Sequence, residues 1–257
     1  MPQFETEHST IHYTDAGSGQ AVLLIHGFPL SRDTMADVAS ELAGHIRVFN
    51  VDLPGFGAST TVGPFSMNSL ARDCVEMLAS HEITRFAVAG LSMGGYVALE
   101  MASQWRSVLS HLILIDTKAT ADDVAGRKGR DTFVKVAREK GTAAIVDLMY
   151  PKMMGPGSSG LEGRLRAVMN ATPPLTVEYA SCAMRDRRDL LTEMAGFGVP
   201  VQVIVGEHDA ITPVSAAKQT ASACGGRLDI IAGAGHLSAM EKPADVARVM
   251  LEFLLTK

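Results

Sequence analysis

Short apolar runs recur along the chain, and each ends on a turn-forming or charged residue. Residues 21–25 lead into His26-Gly27, 48–52 into Pro54-Gly55, and 86–89 into Gly90. Residues 112–115 lead into Asp116, 201–205 into Gly206, and 228–231 into Gly233. Runs of this kind suit strands buried on both faces, which is the parallel-sheet pattern. Helical periodicity lies between them. Residues 66–81 place Leu70, Cys74, Met77 and Leu78 on one face, with Ser66 or Asn68 as the cap. Residues 92–104 carry Val97, Leu99 and Met101. Residues 244–255 carry Val246, Val249, Met250 and Phe253, with Pro243 suited to the first turn. Strand–helix alternation predicts an α/β protein with a mostly parallel, doubly wound sheet. Ligands in such sheets bind beyond the carboxyl ends of the strands. His26, Gly90, Asp116, Asp209 and His236 fall at those ends or just past them.

One segment breaks the rhythm. Residues 118–190 show helical patterns, a glycine-rich interruption at 155–160, and no convincing strand. The segment holds 13 Lys and Arg against 9 Asp and Glu, a local excess of +4 in a chain of net charge −5. The expected organisation is a core domain of 1–117 and 191–257, with 118–190 inserted as a helical cap, or lid, over the strand ends. A plainer alternative is a run of helices that extends the domain. The return of the sheet rhythm afterwards favours the lid.

Composition narrows the classes further. A chain of 257 residues, 47% apolar and 20% charged, suits one large globular domain carrying an insertion. The mildly acidic balance gives no reason to expect nucleic acid. Cys74, Cys182 and Cys224 are odd in number and widely spaced, which argues against a disulfide framework or a structural zinc site. The first ten residues are polar and acidic, unlike a signal peptide, and no apolar run approaches the roughly 20 residues of a membrane span. A cytoplasmic monomer or small homo-oligomer without membrane contact is expected.

The chemistry is most visible at Gly90-Leu91-Ser92-Met93-Gly94, a G-x-S-x-G sequence between a strand and a helix. A sharp turn there forces unusual backbone angles on the serine and presents its hydroxyl at the mouth of the sheet. Side chains at positions 90 and 94 would collide with neighbouring elements. The adjacent helix N-terminus favours developing negative charge. A lone serine hydroxyl is a weak nucleophile and needs a base. His236, in Gly233-Ala234-Gly235-His236, follows the last strand and is the candidate. His208 is its rival, while His8, His12, His45, His81 and His111 sit where surface histidines are usual. The imidazole needs a carboxylate to hold its tautomer. Asp209 is the candidate, and Asp116 and Glu207 are the alternatives. Ser92, Asp209 and His236 occur in the chain order Ser, Asp, His.

An oxyanion needs two donors. The Met93 N–H is one candidate and the Phe28 N–H, in His26-Gly27-Phe28-Pro29, is the other. Gly27 permits close approach there, and His26 is expected to brace the loop. Ser31 is expected to cap a helix, with Asp33 in its first turn. Phe28, Leu91, Met149 and Met153 are the candidate substrate-lining residues. The lid methionines suit an adaptable apolar wall, although ordinary helix packing is the favoured reading of them.

These residues resemble the α/β-hydrolase superfamily. The resemblance spans nearly all of the chain outside 118–190. It rests on His26-Gly27-Phe28-Pro29, on Asp52-Leu53-Pro54-Gly55-Phe56-Gly57-Ala58-Ser59, on Gly90 to Gly95, on Gly206 to Asp209 and on Gly233 to His236. Gly-Leu-Ser-Met-Gly-Gly is similar to small carboxylesterases, 3-oxoadipate enol-lactonases and cofactor-free haloperoxidase/perhydrolases. Arg185-Asp186-Arg187-Arg188-Asp189-Leu190 resembles the end of the lid in the esterase and lactonase relatives. Serine at position 92 departs from the aspartate of haloalkane dehalogenases and epoxide hydrolases. The resemblance implies an α/β-hydrolase fold and hydrolysis of a small-molecule ester or lactone without cofactor or metal. Perhydrolysis, acyl transfer to an alcohol and ligand reception without catalysis are the alternatives. Fold alone does not select a substrate.

Overall fold

The computed structural model describes residues 2–256. Nine strands lie along the chain: β1 (Gln3–Glu5), β2 (Ser9–Ala16), β3 (Ala21–Ile25), β4 (Arg47–Val51), β5 (Thr60–Thr61), β6 (Phe86–Leu91), β7 (Leu109–Ile115), β8 (Val201–Gly206) and β9 (Arg227–Ile231). The helices are α1 (Ala36–Ala43), α2 (Met67–Ser80), α3 (Met93–Gln104), α4 (Val124–Lys140), α5 (Thr142–Met149), α6 (Glu162–Asn170), α7 (Pro174–Arg185), α8 (Val214–Cys224), α9 (Ser238–Glu241) and α10 (Pro243–Leu255). The sheet order is β1-β2-β4-β3-β6-β7-β8-β9, with β5 paired to β2. Every neighbouring pair from β4 through β3 to β9 is parallel, and β2 joins β4 antiparallel.

All six expected strands are present. The structure adds β1, β2 and β5 at the antiparallel edge. β2 alternates, with Ser9, Ile11 and Tyr13 buried and Thr10 and His12 half-buried. That period of two is the mark of a strand with one wet face, not of a continuous apolar run.

Strand alternation sorts the core into two layers. Leu23, Ile25, Phe49, Phe86, Val88, Leu112, Leu114 and Val203 face α2, α3 and α8. Val22, Leu24, Val48, Ala87, Ala89, Leu91, Ile113 and Ile204 face α1 and α10. Each fully buried Leu, Ile, Val or Phe contributes about 2 kcal/mol by leaving water. Helices on both faces make the sheet doubly wound.

Between β7 and β8 the described residues form helices and turns and no strand. Arg187 ties this segment to the core. It accepts no solvent contact of note, donates to Asp122 Oδ1 at 2.9 Å, and lies 4.0 Å over the Tyr96 ring of α3. Asp122 also binds Arg130 Nε at 2.9 Å. The two arginines hold the Asp122 carboxyl well below its ordinary range against the opposing effect of burial.

Local rules account for the helix ends. Ser31 accepts from Asp33 N–H and starts a 3₁₀ turn that leads into α1. α10 begins on Pro243. α2 opens with a reciprocal capping box: Ser66 Oγ accepts from Ser69 N–H at 3.0 Å, and Ser69 Oγ accepts from Ser66 N–H at 2.9 Å. Ser66→Ala is expected to cost about 1 kcal/mol and to lower Tm by about 2–4 °C, measured by thermal melting followed by circular dichroism.

Candidate active site

Ser92 lies between the last residue of β6 and the first of α3, with φ 52° and ψ −110°. A non-glycine residue in that region costs on the order of 1–3 kcal/mol, so the surroundings must hold it. They do so on both backbone groups. Ser92 N–H donates to Ile115 O at 2.8 Å, and Thr117 Oγ1 donates to Ser92 O at 2.8 Å. The flanking glycines are steric requirements. A Cβ at Gly90 would stand 2.2 Å from Gly94 O, and one at Gly94 would stand 2.3 Å from Ile25 O.

His236 comes from the loop after β9, and Asp209 from the loop after β8. The structure brings both to Ser92. His236 Nε2 lies 2.9 Å from Ser92 Oγ, and His236 Nδ1 lies 2.9 Å from Asp209 Oδ2 and 3.0 Å from Oδ1. Asp209 also accepts the Ile211 and Thr212 N–H groups, each at 2.8 Å, and the Thr212 hydroxyl at 2.6 Å. His236 is only 2% exposed. Burial alone would lower its pKa. The hydrogen bond and charge of Asp209, then the charges of Asp116 and Glu241, outweigh that and hold it above the ordinary value of 6.5. Burial works against the Asp209 carboxylate as well, and His236 and Thr212 reverse it, leaving the pKa lowered.

The alternatives to these two side chains are placed elsewhere. His208 is exposed and sits 3.7 Å from Glu207. Glu207 accepts the Gly233 N–H at 2.9 Å. Asp116, at φ 46°, accepts from Gly206 N–H at 2.8 Å, from Ser238 N–H at 2.9 Å and from Ser238 Oγ at 2.6 Å. It therefore braces the two loops that deliver Asp209 and His236. Burial, together with the Asp209 charge, pushes its pKa up to about 7. Thr212, Ser238 and Glu241 were not legible as site residues from sequence. Only Thr212 had a local signal, since an aspartate three residues before a threonine is a turn-capping pattern.

The opposite wall is the loop after β3. A Cβ at Gly27 would stand 3.1 Å from Ser92 Cβ, so the loop approaches the serine closely. Among the described residues, neither the Phe28 nor the Met93 N–H has an acceptor within the protein. His26 braces this loop. Its Nδ1 donates to Gly27 O at 2.7 Å, and its Nε2 accepts from Leu53 N–H at 3.0 Å. That pair of partners requires the neutral ring, and burial lowers its pKa accordingly. Asp52 fixes the other side by accepting from Arg32 N–H at 2.8 Å, from the Arg32 guanidinium and from Ala58 N–H at 3.0 Å.

The expected lining residues occupy different depths. Phe28 is stacked on Phe133 of α4, ring centroids 6.3 Å apart and 20° from parallel. Met149 is half-buried where the two core layers meet. Leu91 and Met153 have no exposed surface and pack within the layer facing α1 and α10. Every arginine of the 118–190 segment is ion-paired: Arg127, Arg130, Arg138, Arg164, Arg166, Arg185, Arg187 and Arg188. No cluster of three or more His, Cys, Asp or Glu suited to a metal ion occurs among the described residues. None of their helices is long and apolar enough to cross a membrane.

Asp116→Ala would leave three buried donors without an acceptor, at about 1–3 kcal/mol each before relaxation. The variant is expected to lose about 3 kcal/mol, and Ser238→Ala about 1 kcal/mol, in denaturant titrations at one pH.

Comparison with known proteins agrees with this architecture. The sequence pattern of the alpha/beta hydrolase family matches residues 22–249. A pimeloyl-[acyl-carrier protein] methyl ester esterase from Yersinia pseudotuberculosis is 26% identical over 253 residues, 95% of this chain and 96% of that protein. A thermophilic esterase from Thermogutta terrifontis superposes with a TM-score of 0.95 at 30% identity, covering 99% of this chain and 98% of that one. An enol-lactonase from Burkholderia xenovorans LB400 gives 0.90 at 24% identity, covering 99% and 100%. With the family pattern spanning most of its length, the chain belongs to the alpha/beta hydrolase family.

Proposed function

We propose that this protein is a serine hydrolase that cleaves a carboxylic ester, or a related acyl bond, through an acyl-enzyme on Ser92. The observation that carries the reading is the continuous contact from Ser92 Oγ to His236 Nε2 at 2.9 Å and from His236 Nδ1 to Asp209 at 2.9 Å. Similarity to an esterase at 30% identity supports the ester class. His236 takes the Ser92 proton as the hydroxyl adds to the carbonyl. Asp209 fixes the tautomer and stabilises the imidazolium. The Phe28 and Met93 N–H groups receive the oxyanion. His236 then protonates the leaving alkoxide and activates the water that releases the acyl group. Substrate enters under the 118–190 segment, acting as the cap, and Phe28 with Phe133 forms an apolar wall for it. Met149 lies at the margin of that wall, with Leu91 and Met153 backing it.

A neutral acyl chain fits this cap better than a carboxylate-bearing lactone. Carboxylates are best met by a free guanidinium fork, and the cap arginines are already paired. A panel of p-nitrophenyl esters, an enol-lactone and an acyl-thioester distinguishes these substrates.

Ser92→Ala is expected to abolish labelling by a fluorophosphonate and to reduce ester turnover by about 10³-fold or more. Undiminished turnover would remove the proposal. The base must be neutral to act, and His236 is held above 6.5. Activity should therefore rise with pH, and the acid limb of kcat/KM should have its midpoint above 6.5. Asp209→Asn removes the charge that raises His236 and should move that midpoint down, read from kcat/KM measured across pH 5 to 9.

A further inference from the structure

Glu241, the last residue of α9, divides its carboxylate between two loops. One oxygen, Oε2, accepts from Gly155 N–H at 2.7 Å and from the Ser158 hydroxyl at 2.6 Å. The other, Oε1, accepts from Gly235 N–H at 2.9 Å and from Leu237 N–H at 3.3 Å. The first pair belongs to the glycine-rich interruption of the cap. The second pair flanks His236 on both sides. The backbones of these loops also touch. A Cβ at Gly235 would stand 2.3 Å from Gly155 N, and a Cβ at Gly155 would stand 2.6 Å from Gly235 N.

We propose that Glu241 is a positioning residue that latches the 155–158 loop of the cap to the loop carrying His236, so that docking of the cap and placement of the imidazole are set by one side chain. The proposal rests on His236 being the base. An ionised carboxylate accepts on both oxygens, which a single side chain needs in order to serve two loops at once. No N–H in the 155–158 loop belongs to a regular helix or strand, and apart from the Ser158 N–H to Gly155 O bond at 3.4 Å and its packing on Gly235 the loop is held by the carboxylate. Glu241 also acts on His236 by charge. The charges acting on the ring are Asp209, in direct contact, with Asp116 from the end of β7 and Glu241 from α9, all raising it. Its other polar neighbours, Ser92 and Thr212, are uncharged hydroxyls.

The latch makes separable demands on two variants. Ser158→Ala removes a contact on the cap side alone. Glu241→Gln keeps the shape but offers one acceptor oxygen, so it loses one loop, and it removes the charge near His236. The rate of fluorophosphonate labelling is measured against pH, beside the rate of proteolytic cleavage within 155–160. Ser158→Ala is expected to speed cleavage about threefold or more with the pH midpoint of labelling as in the parent protein. Glu241→Gln is expected to speed cleavage and to lower that midpoint by about 0.5 pH. Parent-like cleavage of Ser158→Ala, or a parent-like midpoint in Glu241→Gln, overturns the proposal. Failure of the parent protein itself to be labelled would instead sink the reading of Ser92 and His236, and the cleavage rates would still judge the latch.

Discussion

Buried and half-buried carboxylates that accept backbone N–H groups hold this site together. Ser92, Asp209 and His236 stand in turns and loops beyond the strand ends, where ladder and helix bonds leave much of the main chain unsatisfied. A buried, unpaired N–H costs about 1–3 kcal/mol, so each loop needs a side-chain acceptor. Asp52 supplies it for Arg32 and Ala58 beside the Phe28 loop. Asp116 supplies it for Gly206 and Ser238. Asp209 supplies it for Ile211 and Thr212 while also holding His236. Glu241 supplies it for Gly155, Gly235 and Leu237. Asp52 thereby ties the loops after β3 and β4 to each other, while Asp116, Asp209 and Glu241 tie the loops after β7, β8 and β9 and the 155–158 turn together.

This bracing has an electrostatic consequence. Asp209, Asp116 and Glu241 surround one imidazole, and each raises its pKa. Like charges close together in a dry site are costly, and Asp116 absorbs that cost by holding its proton up to about 7. Its hydrogen-bond role survives either state, because a carboxyl that has gained a proton still accepts. Asp209 keeps its charge because the hydrogen bond and charge of His236, and then Thr212, outweigh its burial. The division between the two carboxyls follows from deeper burial and the Asp209 charge at Asp116, and from direct contact with His236 at Asp209.

Much of the parallel core was legible because its strands are unbroken apolar runs that end on glycine, aspartate or histidine. The Ser92, Asp209 and His236 positions were legible for the same reason: each closely follows such a run. β2 was not, since its signal is alternation among polar residues such as Thr10 and His12, and its partner strand lies far along the chain. α8 was missed because its small residues, Ala216, Ala217, Ala221 and Ala223, give little periodic contrast. Glu241 and Ser238 were invisible because their partners, backbone N–H groups for Glu241 and the Asp116 carboxylate for Ser238, lie up to 122 residues away, and no local pattern encodes so distant a contact.

The helical segment is also less of a separate lid than its charge balance suggests. Both core layers run into it. Ile145, Val177 and Met184 belong to the layer on the α2 and α3 face, and Val146, Met153, Leu165 and Met169 to the other. Lifting the segment as a rigid body would return several of these buried side chains to water. Four of them at about 2 kcal/mol each give about 8 kcal/mol, which leaves an open form at roughly one molecule in a million. Movement of the segment must instead use parts with little buried area, such as the half-buried Phe133 and Met149 and the turn around Gly155 to Ser158. Two of these parts are apolar side chains, and the third is the turn bound by Glu241, whose other oxygen meets the loop that carries His236.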